Sequence, residues 1–162
     1  MITRLKASDI FEIAIRIEEN GARFYRHTAQ LFGTEEVKAL FETLANDEER
    51  HREVFRTLRT TLPSLVTSES YHSECISCLN SYVDDIIVFQ PELFASEVKK
   101  IQNATDALYF AIRREVTSIF YYQQIGVLLP SDRRKTLDDI INEERSHYTA
   151  LSEERQRLGD IV

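Results

Sequence analysis

The stretch LANDEERHREVF, residues 44–55, places two polar side chains on the face that a helix would turn toward a core. Leu44, Glu48, His51 and Phe55 recur every three or four residues, which is the period of one face of an α-helix. Because Leu44 and Phe55 belong in an apolar interior, the glutamate and histidine between them are predicted to be buried as well. Buried ionisable groups need partners, so the stretch predicts a site inside a helical core.

The same pattern occurs near the C-terminus, in INEERSHYTAL, residues 141–151. Glu144 and His147 have the spacing of the first pair, and they lie in a stripe that runs from Ile140 to Leu151. The sequence therefore predicts a second helix that turns a glutamate and a histidine toward the core.

Each of the two remaining helical stripes contains one glutamate. Glu18 precedes the first glutamate–histidine pair by 30 residues, and Glu115 precedes the second by 29 residues. The chain is thus predicted to contain two similar halves, at about residues 8–62 and 104–158, each a pair of antiparallel helices.

Composition favours a few long helices in one domain. The chain has 162 residues, 43% of them hydrophobic, and only four glycines and three prolines to make turns. We predict a single all-α domain over residues 1–162, a four-helix bundle with a long crossover between helices 2 and 3. Helix 1 is predicted to run from Ser8-Asp9 to Gly33, and helix 2 from a cap at Thr34 to Pro63. Helix 3 is predicted to run from about Pro91 or Thr105 to Pro130, and helix 4 from a cap at Ser131 to about Leu158.

The crossover consists of a serine-rich stretch, residues 64–82, and an apolar run, residues 82–94. A connection this long can run the length of a bundle, so helices 2 and 3 are predicted to be parallel. Residues 92–101 form either a short helix or the start of the third. Cys75 and Cys78 are open to three interpretations: a redox pair, half of a metal site shared across a dimer, or two incidental thiols.

Charge and hydropathy exclude several classes of partner. The net charge is −7, and nucleic acids and anionic membranes both require a basic surface. No segment approaches the roughly 20 apolar residues of a membrane span. With two cysteines and no signal-peptide run in residues 1–6, we expect a soluble, cytoplasmic protein.

Carboxylates at four core positions require compensating charge, because removing an ionised carboxylate from water is costly. No arginine or lysine lies in the four stripes, and hydrogen bonds or buried ion pairs are the alternative to metal ions. Carboxylates with imidazoles suit iron or manganese, with zinc as a further alternative. We expect Glu48 and Glu144 to bridge two ions and each histidine to complete one of them. The predicted ligands, with Glu18 and Glu115 terminal, are Glu18, Glu48, His51, Glu115, Glu144 and His147.

Four further residues are placed to support these ligands. Asp47 and Glu143 directly precede the bridging glutamates, where a carboxylate can accept the free imidazole N–H of the histidine on the opposite helix. A solvated acidic residue is the alternative for both. Tyr25 and Tyr122 follow the single glutamates on the same helix face, where a phenol can donate to a carboxylate, carry an electron, or simply fill the core.

Four motifs, in order, resemble the rubrerythrin group of the ferritin-like superfamily: IEENGARFY (17–25), LANDEERHREVF (44–55), REVTSIFYY (114–122) and INEERSHYTAL (141–151). The resemblance covers the chain apart from the crossover. It implies a ferritin-like fold with a centre of two iron ions, a homodimer and a role in oxidative stress. It also implies an oxidoreductase that reduces hydrogen peroxide or dioxygen with electrons from an external donor, such as a rubredoxin or a reductase.

Two departures from that group bear on the reaction. A rubredoxin iron site needs two cysteine pairs, whereas this chain has only Cys75 and Cys78. Rubrerythrins also commonly carry a further carboxylate three residues from the helix-3 ligand, where Ile112 and Ser118 stand. Two other functions therefore stay open. One is ferritin-like iron oxidation, storage or delivery, and the other is a helical interaction module in which metals act only as staples.

Overall fold

Four helices account for most of the chain that the structure describes. The computed structural model describes residues 7–61, 95–96, 98–127 and 129–159. The helices are α1 (Ala7–Leu31), α2 (Glu35–Thr61), α3 (Ala104–Gly126) and α4 (Ser131–Gly159). No strand occurs within these residues, which confirms the predicted all-α class.

A tight turn joins α1 to α2. Gly33 has a φ of 101°, a conformation that residues with a side chain rarely adopt. The backbone N–H of Val37 donates to Thr34 Oγ1 at 3.4 Å, so Thr34 caps α2 as predicted. Glu35 and Glu36 follow at the positive end of the helix dipole. So short a connection makes α1 and α2 antiparallel.

The second half has different caps. Asn103 Oδ1 accepts a hydrogen bond of 2.8 Å from the N–H of Asp106, which starts α3 one residue before the predicted Thr105. The predicted cap at Ser131 is wrong by one residue. The N–H of Arg134 donates to the carbonyl of Pro130 at 3.0 Å, so Pro130 occupies the cap position and Ser131 is already helical.

Contacts between α1 and α3 fix the topology. The Tyr121 hydroxyl donates to the carbonyl of Ile10 at 2.8 Å, while the Phe24 and Phe110 rings lie 4.9 Å apart further along the bundle. The start of α1 therefore lies beside the end of α3, and the two helices are antiparallel. Since α2 is also antiparallel to α1, α2 and α3 run in the same direction, as the ferritin-like arrangement requires.

Two apolar clusters fill the bundle, one on each side of a buried polar layer. The first includes Phe11, Phe55, Tyr122 and Leu137. The second includes Tyr25, Phe41, Leu108 and Leu151. The buried stripe residues are Phe11, Ala14, Glu18, Gly21, Tyr25 and Thr28 of α1; Val37, Phe41, Leu44, Glu48, His51, Phe55 and Leu58 of α2; Leu108, Ala111, Glu115, Ser118, Tyr122 and Ile125 of α3; and Leu137, Ile140, Glu144, His147, Leu151 and Glu154 of α4. Phe32, Leu129 and Leu158, at the ends of the stripes, are half-buried. The periodicity therefore identified the core faces correctly.

Part of the crossover lies outside the described residues, including Cys75, Cys78 and the apolar run to residue 94. Closer to α3, a helical turn ends at Ile101, and Gln102 and Asn103 separate it from the helix. Among the described helices, none is both long and apolar enough to cross a membrane.

Candidate metal centre

The polar layer contains all six residues predicted as ligands. Each is at most 6% exposed, although four are carboxylates and two are imidazoles. α1 and α3 each supply one glutamate, and α2 and α4 each supply a glutamate and a histidine one turn apart. The residues are Glu18, Glu48, His51, Glu115, Glu144 and His147.

Their oxygen and nitrogen atoms form two groups, each with all its atoms within 4.8 Å of one another. The first group consists of Glu48, Glu115, Glu144 and His147, and the second of Glu18, His51 and Glu144. Glu144 is common to both, which is the position of a bridging carboxylate. Glu48 belongs only to the first group, so its expected bridging role stays a prediction.

Buried atoms without hydrogen-bond partners indicate a site that is suited to cations. Among the described residues, both oxygens of Glu144 have no such partner, and neither do the ring Nδ1 atoms of His51 and His147. One oxygen each of Glu18, Glu48 and Glu115 also has no hydrogen-bond partner. His51 Nδ1 lies 2.8 Å from Glu144 Oε1, yet without the geometry of a hydrogen bond. Since buried polar atoms are nearly always paired, the donor set fits a pair of metal ions.

The second ring nitrogen of each histidine contacts a carboxylate of the opposite helix. His51 Nε2 lies 2.8 Å from Glu143, and His147 Nε2 lies 3.2 Å from Asp47. In the neutral ring, such contacts favour the proton on Nε2 and leave Nδ1 available as a ligand.

Arg50, which the sequence analysis did not single out, joins these two outer carboxylates. Its guanidinium donates to Asp47 at 2.7 Å and to Glu143 at 2.6 Å. The contact with Arg50, together with that of His51, holds the pKa of Glu143 below its usual range. Glu143 can therefore stay ionised as an acceptor. The spacing of Asp47 and Arg50 on one helix face was the available signal.

The two tyrosines donate to the single glutamates across the bundle. The Tyr25 hydroxyl of α1 bonds to Glu115 of α3, and the Tyr122 hydroxyl of α3 bonds to Glu18 of α1. Burial, followed by the charge of the glutamate that each one contacts, raises the pKa of both phenols well above their usual value. They therefore remain protonated donors, each leaving the other oxygen of its glutamate unpaired.

Burial also shifts the pKa of the carboxyl groups. It raises the pKa of Glu18 and Glu115 well above the usual range, and the charges of neighbouring carboxylates add to this shift. Burial lowers the pKa of His51, but its contacts with Glu144 and Glu143 outweigh this effect and raise it to about 9. The layer thus favours protons or cations, because its four carboxylates carry an excess of negative charge.

Arg114 lies outside the four stripes, yet it brings a positive charge to these carboxylates. It directly precedes Glu115, is 3% exposed, and donates from Nη2 to Glu48 Oε2 at 3.3 Å. It was missed because it lies beside the ligand stripe rather than in it, although it is as buried as the stripe residues. One guanidinium does not balance four carboxylates, so the fit to metal ions still holds.

Four helices around a buried carboxylate and histidine layer define the ferritin-like carboxylate class of metal-binding bundles. Within that class, the chain belongs to the rubrerythrin family, whose model matches residues 9–154. The chain is also similar to the crystal structure of a Thermotoga maritima protein, provisionally described as a ferritin-like diiron-carboxylate protein. Sequence identity is 29%, the TM-score is 0.69, and the similarity covers 96% of this chain and 98% of that one. No curated protein matches the sequence.

Proposed function

We propose that this protein is a non-haem di-iron oxidoreductase that reduces hydrogen peroxide or dioxygen with electrons from an external donor. The observation that carries the proposal is the set of buried donor atoms without hydrogen-bond partners, arranged as two groups that share Glu144. Membership of the rubrerythrin family supports iron as the metal. Manganese and zinc are compatible with the same donors.

Each group of donors would hold one ion. Glu115 and His147, with Glu48 and Glu144, would hold the first, and Glu18 and His51, with Glu144, would hold the second. When bound, the two iron ions supply two electrons together, which avoids release of a free-radical product. The carboxylates neutralise the positive charge of the ions, and the apolar clusters on either side keep bulk water away.

We expect an external donor, because the two cysteines of this sequence do not make up the four thiolates of a rubredoxin-type iron site. A rubredoxin or a reductase has the required chemistry. The homodimer and the cytoplasmic location expected from the sequence stay predictions.

The first test measures metal content of protein purified without chelator, followed by the optical spectrum after addition of Fe(II) and then stoichiometric peroxide. We expect about two irons per chain, as the two donor groups require. We also expect ferric absorption that appears faster with peroxide than with air, and turnover when a reductant is supplied. Glu144→Ala should abolish iron binding and turnover together. Glu19→Ala is the matched control, because Glu19 follows a predicted ligand but is exposed.

Two results would contradict the proposal. Excess ferric iron retained by an assembly, without turnover, would instead support the ferritin-like function. A single redox-silent zinc, whose removal unfolds the protein, would support the helical interaction module in which metals only stabilise the fold.

A further inference from the structure

The two halves of the bundle place matching ligands and tyrosines around the site, but the residues beside the single glutamates differ. Glu18 corresponds to Glu115, Tyr25 to Tyr122, Glu48 to Glu144, and His51 to His147. In this correspondence, the residue before the single glutamate is Ile17 in α1 but Arg114 in α3. Both are buried, yet only one carries a charge. The site is therefore electrostatically asymmetric.

Arg114 holds one of the two glutamates that were expected to bridge. Its Nη2 donates to Glu48 Oε2 at 3.3 Å and also lies 3.4 Å from the carbonyl oxygen of Ile17. Its guanidinium carbon lies 5.7 Å from the centre of the Tyr25 ring, within range of a cation–π interaction. Since a guanidinium stays protonated in proteins, this positive charge is permanent.

Gly21 provides the space for this contact. A methyl group at Gly21 would overlap both the Glu48 carboxylate and the Arg114 guanidinium. The corresponding residue in α3 is Ser118, whose hydroxyl donates to the carbonyl of Glu115 at 3.0 Å. A side chain is thus present on one side of the site and missing on the other, where the arginine reaches the carboxylate.

The two matching glutamates differ accordingly. Glu144 has both oxygens without a hydrogen-bond partner among the described residues, and it takes part in both donor groups. Glu48 has one oxygen bound by Arg114, and it takes part in the first donor group alone. The arginine thus accompanies the loss of one carboxylate from the second group.

We propose that Arg114 is a positioning residue that directs Glu48 to one metal position, so that the two positions differ in ligand number and in affinity. This inference rests on the proposed two-metal function. The first position then has four protein ligands. The second has three.

The test is a titration of the folded, metal-free protein with Mn(II), in which electron paramagnetic resonance measures the free ion. Wild type should bind two Mn(II) in two separate steps. In Arg114→Gln, both oxygens of Glu48 are free to bind metal, as those of Glu144 are. The dissociation constants of the two binding steps should therefore become more similar. We expect the ratio of the two dissociation constants to fall by about tenfold or more, as when other outer contacts of a ligand are lost.

Two further variants test whether the effect depends on the contact between Arg114 and Glu48, rather than on loss of a nearby positive charge or of overall stability. Gly21→Ala keeps the arginine, but its methyl group overlaps both the guanidinium and the Glu48 carboxylate, so it breaks their contact and should also bring the two dissociation constants together. Arg113→Gln removes an exposed arginine from the same helical turn and should leave the ratio unchanged. A general loss of stability would weaken both steps alike and would not change their ratio.

The possible outcomes are distinguishable. If wild type binds two Mn(II) but folded Arg114→Gln keeps its ratio, the inference is wrong and the proposed function stands. If Arg114→Gln does not fold, a wild-type ratio in folded Gly21→Ala overturns the inference equally. Fewer than two Mn(II) in wild type would overturn both.

Discussion

At the scale of single residues, the outer carboxylates decide how the histidines can act. Glu143 accepts from His51 and is itself held by Arg50, while Asp47 plays the matching part for His147. The proton of each ring is thereby assigned to the nitrogen that faces away from the donor groups. A ligand nitrogen is available only because this second contact exists.

Removal of one outer carboxylate should therefore weaken one metal position. In Glu143→Ala, His51 loses its Nε2 partner, and we expect metal affinity at the position of Glu18, His51 and Glu144 to fall by about 10- to 100-fold. The Mn(II) titration measures this loss. Asp139→Ala, an exposed carboxylate one turn earlier on α4, is the control and should bind like wild type. Equal affinities in Glu143→Ala and wild type would show that the contact does not orient the ring.

At the scale of secondary structure, each helix start is a local solution to unpaired backbone groups. Thr34 and Asn103 use side-chain oxygens, whereas α4 begins after Pro130, whose carbonyl accepts the first helical bond. The α1–α2 turn depends on a single backbone conformation, at Gly33.

Gly33→Ala should destabilise the protein because alanine has to adopt a positive φ and because its methyl group would overlap Val37. We expect a loss of at least about 1 kcal/mol in the free energy of unfolding, measured by urea denaturation. Gly159→Ala is the matched control, since a methyl group there meets no atom within 4 Å. Similar unfolding midpoints for the two variants would contradict the expectation.

At the scale of the whole molecule, the buried layer couples folding to protonation. In the metal-free protein, the pKa of His51 is raised to about 9 in the folded state, from about 6.5 when unfolded. The folded protein therefore holds this proton more tightly than the unfolded chain does. The resulting stability is complete below about pH 6.5 and is lost as the pH rises to about 9. The pKa of His147 is raised in the folded state as well.

Metal-free protein should accordingly lose stability, on the order of 3 kcal/mol, between about pH 6.5 and pH 9. Urea unfolding in the presence of a chelator measures the change, and His51→Gln should reduce it. Saturation with metal should also reduce it, because bound ligands are already deprotonated. The lowered pKa of Glu144 acts in the opposite sense but only at acid pH, outside this window. A urea unfolding midpoint that rises with pH over this range would contradict the prediction.

The sequence by itself determined the four helices, their core faces and the six residues of the polar layer. Each of these follows from periodicity or capping, which depend on neighbours three or four residues away. Glu48 with His51, and Glu144 with His147, could be recognised because each pair lies within one helical turn between apolar residues.

Only the tertiary structure decided which groups meet across helices. Arg114 and Glu48 are 66 residues apart in sequence, and Arg50 and Glu143 are 93 apart. Arg113 and Arg114 are adjacent and chemically identical, yet one is exposed and the other buried. The physical reason is that Arg114 faces the bundle and Arg113 does not, and that Gly21 on another helix has no side chain and leaves the space in which the Arg114 guanidinium reaches Glu48.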